Sequence, residues 1–162
     1  MIDAPKPYML RRDEGQPIWF LGTLMLLKAT GQQNEGQFSL IEQVLPPGFS
    51  PPLHVHHGED EAFYILEGTF RFICGDTKWD ISAGDFVFLP KEIPHSFLVT
   101  SNDPARLLQL TAPAGLEHFH VEAGDPAESL TLPPPAPPDI ERVLQAGEKY
   151  NFEIVGPPMG ES

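Results

Sequence analysis

The middle of the chain is cut at short intervals by Gly, Pro, Asn and Asp, and the pieces between the cuts are strand-like. The stretch "EAFYILEGTFRFICG" is two apolar runs hinged at Glu67-Gly68. The stretch "TKWDISAGDFVFLP" repeats the form with a turn at Ser82-Ala83-Gly84-Asp85, and "PHSFLVTSNDPARLLQLTAP" does so again at Asn102-Asp103-Pro104. Alternating runs joined by such turns read as hairpins. "QPIWFLGTLMLLKAT" also reads as strands, because Leu24 to Ala29 is short for a helix and glycines flank it at 22 and 31. "GQFSLIEQVLPPG" sets Phe38, Leu40 and Val44 on one face and Ile41 and Leu45 on the other. Many short strands at close spacing predict an all-β sandwich or barrel.

The character changes after Pro113. "AGLEHFHVEAG" predicts a short helix. A proline-rich extended segment follows, and then a second helix with Asp139 as N-cap, an apolar stripe of Ile140, Val143 and Leu144, and Gly147 as its end. No solenoid repeat and no second core is visible. The expectation is one domain over 1–162: a barrel core of about 36–113, N-terminal strands in 1–35, and a C-terminal arm with short helices in 114–162.

Charge narrows the partners. A net charge of −13 disfavours nucleic acid and anionic membranes, both of which select cationic surface. The start, "MIDAPKPYMLRRDEG", shows no signal-peptide core, and the longest apolar run, Ile18 to Leu27, is too short to span a bilayer. The lone Cys74 cannot form an internal disulfide and sits in a strand-like run, so it reads as a packed thiol in a cytoplasmic protein. The same Ile18 to Leu27 run is too apolar to lie bare on a small acidic protein. It is expected to serve a homodimer interface through an edge of the sheet.

One stretch carries chemistry: "GFSPPLHVHHGEDEAFYILEG", residues 48–68. His54 and His56 stand two apart, so a strand projects both to one face, about 6 to 7 Å apart. Glu61 opens the next run, where a turn over 57–60 can return it to the same side. Two imidazoles and a carboxylate buried together are costly unless something satisfies them, and a divalent cation satisfies all three. His95 is a fourth candidate, on a strand that a barrel can bring alongside. His57 reads as an exposed or turn residue. Glu59 and Asp60 read as turn acids, with Glu59 also able to orient a ligand imidazole. His118 and His120, two apart on a helix, do not face each other and read as surface or packing residues. Phe63, Phe70, Phe72, Phe86, Phe88 and Phe97 read as core or pocket wall.

The same residues resemble the first cupin motif, G-x5-H-x-H-x4-E-x6-G, with Gly48, His54, His56, Glu61 and Gly68 at each fixed position. Gly84, Pro90 and His95 match the second motif, G-x5-P-x-G-x2-H-x3-N, while Glu92 replaces its last glycine and Val99 its asparagine. The resemblance implies a cupin double-stranded β-helix, a jelly-roll barrel with the site inside. It implies His54, His56, Glu61 and His95 as ligands of one divalent metal ion, with Fe, Mn, Ni, Co, Zn and Cu all compatible with the donors.

The pattern is most similar to quercetin dioxygenase-like cupins. That likeness implies dioxygen insertion into a small aromatic, flavonol-like substrate, with Glu61 as catalytic base as well as ligand. Other metal-dependent cupin enzymes (isomerases, decarboxylases, other dioxygenases) and non-catalytic small-molecule-binding cupins are the alternatives. No helix-turn-helix is present to support a fused regulator.

Overall fold

A computed structural model describes residues 4–160. It is an all-β jelly roll of two antiparallel sheets with two short helices. The strands are β1 (Gln16–Phe20), β2 (Thr23–Ala29), β3 (Ser39–Leu45), β4 (Pro52–His56), β5 (Asp60–Glu67), β6 (Thr69–Cys74), β7 (Thr77–Ser82), β8 (Phe86–Leu89), β9 (His95–Val99) and β10 (Ala105–Ala112). Helix α1 (Leu116–Ala123), the short β11 (Asp125–Pro126), helix α2 (Ile140–Lys149) and β12 (Phe152–Pro158) complete the chain. One sheet runs β11-β1-β2-β3-β10-β5-β8, the other β12-β4-β9-β6-β7. Among the described residues no helix is long and apolar enough to cross a membrane.

The turns fall where the sequence puts them, but what they connect differs from the expectation. β5 and β6 do not pair: β5 lies between β10 and β8, and β6 lies in the other sheet between β9 and β7. The turns at 82–85 and 102–104 likewise carry the chain from one sheet to the other, from β7 to β8 and from β9 to β10. Among the described residues, only β6–β7 and β1–β2 are adjacent, tightly connected pairs of the hairpin type. Local turn chemistry reverses the chain. Which sheet it enters is set by where the apolar faces are buried.

Alternation along the strands stacks the interior in layers. Phe63 and Ile65 on β5, Phe70 and Phe72 on β6, Phe97 and Val99 on β9 and Leu107 on β10 form one apolar cluster with Leu45, Cys74, Val87, Leu89 and Ala105. A second cluster joins Ile18, Phe20, Met25, Leu27 and Ile41 to Leu116, Phe119, Ala123, Val143 and Ala146 from the helical arm. Between the two lie the polar inward positions Gln43, Glu61, His95 and Gln109, each one strand repeat from an apolar neighbour. Each fully buried Phe contributes on the order of 2 to 3 kcal/mol.

Several local expectations need correction. Phe86 and Phe88 are not core; they are 62% and 52% exposed on the outer face of β8, and Val87 and Leu89 fill the inside. Along α2 the buried residues are Val143, Ala146 and Gly147, whereas Ile140 and Leu144 face solvent. Asp139 does cap that helix, accepting from Arg142 N at 3.1 Å, but the helix continues past Gly147 to Lys149. Ile18 and the run Leu24 to Leu27 are buried within the chain, so the argument for a partner at that segment lapses.

Candidate metal centre

β4 supplies His54 and His56, β5 supplies Glu61, and β9 supplies His95. The register places His54 directly opposite His95 across the β4–β9 pair. Glu61 enters from the facing sheet, where β5 pairs with β10. All four side chains are buried, and one ligand atom from each lies within 4.8 Å of the other three. The structure thus brings together all four residues that the sequence singled out.

The imidazoles are oriented by what holds their outer nitrogens. His54 Nδ1 bonds Pro52 O at 2.6 Å and His95 Nδ1 bonds Ile93 O at 3.2 Å, each the carbonyl two residues earlier. Both bonds leave Nε2 as the inward, basic nitrogen. His56 Nδ1 has no such carbonyl and instead lies 3.9 Å from Glu59 Oε1. Glu59 is buried, so the reading as a turn acid in water does not hold for it, and at 3.9 Å it stands near His56 without a hydrogen bond to it. Asp60 accepts from Lys91 N at 2.9 Å, tying the turn to the loop before β9.

Glu61 is gripped on both oxygens. Its Oε2 lies 2.9 Å from His95 Nε2, and its Oε1 lies 3.2 Å from His56 Nε2 and accepts from Gln109 Nε2 at 2.8 Å. Gln43 Nε2 donates in turn to Gln109 Oε1. This amide relay on β3 and β10 was absent from the sequence reading. Its signal was there: glutamines at the inward phase of otherwise apolar strands.

Electrostatics follow from the burial. Burial, with His95 and His56 close by, drives His54 down to about 3, so it is a neutral donor. Burial alone would raise Glu61, but the facing imidazoles of His56 and His95 hold it well below the usual carboxylate range. Burial opposes a charged His56, and the Glu61 carboxylate overrides it and raises the group. Three imidazoles with inward nitrogens around one anionic carboxylate are a mixed N/O donor set that fits a divalent transition metal. The fit shows in His56 itself, whose two ring nitrogens are buried without a hydrogen-bond partner among the described residues. Such a cluster could hold one metal ion.

The centre opens into a cavity of about 60 Å³ with largely aromatic and aliphatic walls, including Phe20, Met25, Phe97, Phe119 and Phe152. Phe152 sits over the histidines, its ring centroid 4.9 Å from His54 and 5.3 Å from His56. His120 on α1 also lines the cavity and is 6% exposed, while His118 stands half exposed. Outside the cavity, exposed His57 is held between Glu92 Oε2 and Glu153 Oε2, 2.9 Å from each. Glu92 has φ +70°, the left-handed conformation that explains a glycine at this place in the motif.

Residues 41–112 match the cupin domain family. The chain is 27% identical over 156 residues to a quercetin 2,3-dioxygenase from Bacillus subtilis, covering 96% of this chain and 46% of that one. It is 41% identical over 64 residues to an oxalate-binding protein from Thermotoga maritima, 40% of this chain and 53% of that one. The chain therefore spans about half the length of these curated relatives. Among solved structures, a predicted oxalate decarboxylase from Thermotoga maritima superposes with a TM-score of 0.61 at 26% identity, covering 65% of this chain and 99% of that one. Layered jelly roll, inward quartet and sequence match agree: residues 41–112 are a cupin domain, on a chain that resembles quercetin dioxygenase-like cupins.

Proposed function

We propose that the protein is a metal-dependent cupin dioxygenase acting on a small aromatic, flavonol-like substrate, with His54, His56, Glu61 and His95 as ligands of one divalent ion. The observation that carries this reading is a buried three-histidine, one-carboxylate cluster opening into an aromatic-walled cavity. The similarity to a quercetin 2,3-dioxygenase along 96% of the chain supports it. When bound, the ion supplies Lewis acidity to a substrate oxygen.

The rest is the work of side chains. Phe152 and Phe119 pack on each other, their centroids 4.6 Å apart, and together form one aromatic wall that a planar ring can lie against and that excludes water. Gln43 and Gln109 fix the Glu61 carboxylate through Oε1, and Oε2, which faces His95 Nε2 at 2.9 Å, is the atom that takes a substrate hydroxyl proton. The cavity is smaller than the roughly 300–1,000 Å³ of ordinary ligand pockets. A flavonol therefore enters only when the arm bearing Phe119, Val143 and Phe152 shifts outward. Oxygen uptake by the metal-loaded protein with flavonols, followed at an oxygen electrode, tests the reading; no uptake with any flavonol or smaller phenol rejects it.

A second reading is non-catalytic small-molecule binding, supported by the 41% identity to an oxalate-binding protein. Tight binding without turnover selects it. For assembly, we propose a homodimer through the outer face of β5, β8 and β10, where Tyr64, Phe86, Phe88 and Leu110 are exposed together.

A further inference from the structure

Of the polar side chains lining the cavity outside the quartet, two are already engaged. Gln43 donates to Gln109, and Gln109 donates to Glu61. The third is His120. It is 6% exposed, and neither ring nitrogen has a hydrogen-bond partner among the described residues. Its ring is wedged edge-on between Phe20, at 4.9 Å between centroids, and Phe119, at 5.2 Å.

An imidazole in such a place is expensive, because the hydrogen bonds it made to water are not replaced. A leucine or phenylalanine would serve the packing of α1 better. Burial already pushes His120 down to about 4, so near neutral pH it is uncharged, with one donor and one acceptor nitrogen. It lies near enough for the Glu61 carboxylate and the His56 imidazole to act on it electrostatically, which places it beside the quartet.

Resting on the proposed function, we infer that His120 is a second polar anchor for the ligand. It hydrogen-bonds a polar group on the side of the molecule away from the oxygen that faces the quartet. The ligand class is then a planar phenol or enol with polar groups at two separated positions, its apolar middle lying against the wall of Phe119 and Phe152. A wholly apolar ring with a single oxygen leaves His120 unsatisfied and is disfavoured.

The test uses the full chain loaded with Co(II), with quercetin and 4-nitrocatechol as probes in calorimetry. His120→Phe and His120→Leu should keep one Co(II) per chain and an unchanged visible spectrum, yet lose about tenfold in affinity for a probe, the usual scale of one hydrogen bond. His120→Asn, which restores a donor and an acceptor, should recover part of that loss. Affinities within twofold of wild type in both apolar variants overturn the anchor, and so does loss of Co(II), which makes His120 a ligand instead. If quercetin fails to bind but 4-nitrocatechol binds in a His120-dependent way, the flavonol reading falls and the anchor stands. Wild-type protein that binds neither probe overturns the anchor too.

Discussion

Each residue of the quartet has a geometric position that a substitution can isolate. His56 lacks the backbone carbonyl that fixes His54 and His95, so it depends most on what it binds. His56→Ala should lose most of the roughly one divalent metal per chain expected of wild type, measured by elemental analysis. Full retention in His56→Ala together with His95→Ala rejects the ligand set. Glu61→Gln separates ligand from base: the amide fills the space but takes no proton, so turnover should fall far more than metal content. A metal-loaded Glu61→Gln protein with near-normal turnover leaves Glu61 as ligand alone. His120 adds a pH signature in metal-stripped protein. Its folded value, about 4, lies below the roughly 6.5 of an unfolded histidine, so on acidification the unfolded chain takes up a proton that the folded chain refuses. Stability from this residue is whole above pH 6.5 and is lost as pH falls toward 4. The gap in melting temperature between His120→Phe and wild type should widen over that window, and a constant gap counts against a neutral buried imidazole. The quartet was legible because strand phase and motif spacing are local properties. Gln43 and Gln109 left only the signal of their inward strand phase, and His120 none that separates it from packing, because β3, β10 and α1 reach the centre only through the closure of the sheets and the packing of the arm.

Strands and turns were legible, while their partners were not. Gly68 shows why. It has φ +89°, which any L side chain adopts only with strain, and this marks a turn as clearly in sequence as in space. Yet the crowding around it comes from Ala105 and Ser101, at the far end of the β9–β10 crossing, and no local pattern announces that. A Cβ at Gly68 would lie 2.8 Å from Ala105 Cβ and 2.8 Å from Ser101 Oγ. At Gly84, with φ +92°, nothing lies within 4 Å of the built Cβ. Gly84→Ala should therefore cost about 1 to 2 kcal/mol, the backbone term alone. Gly68→Ala should cost roughly 1 to 3 kcal/mol more, the usual scale of overpacking. Urea denaturation of both variants measures the difference, and equal losses would mean that the crossing yields freely. The same logic explains the apolar stripe of α2, which is one step out of phase with the expectation. Val143 faces inward as expected, but Ala146 and Gly147 join it in place of Ile140 and Leu144, and Phe152 O comes so close to Gly147 that a Cβ there would stand 2.9 Å away.

For the molecule as a whole, the question is how an acidic chain with an exposed aromatic face behaves in solution. The face pairs Tyr64 with Phe86 and Ala62 with Phe88 across β5–β8, and continues to Leu110 on β10 beside Ala62. Phe86, Phe88, Tyr64 and Leu110 are 62%, 52%, 44% and 38% exposed. β8 also ends its sheet, so unpaired backbone groups adjoin the apolar patch. A second copy can cover both by presenting the same surface in return, the self-complementary arrangement of a two-fold dimer. Opposing this is a net charge of −13 on each copy. The two effects scale differently with salt. Repulsion between exposed charges is screened as ionic strength rises, whereas burial of apolar surface is not weakened by it. Association should therefore strengthen with salt, from a mixture at low ionic strength toward twice 17.9 kDa at 0.5 M NaCl, read by light scattering. The paired change Phe86→Asp and Phe88→Asp should hold the protein at 17.9 kDa at every salt concentration, with its metal content intact because these side chains point away from the quartet. A wild-type protein that stays monomeric at micromolar concentration in high salt removes the homodimer, and a dimer that survives the double aspartate change moves the interface to another face.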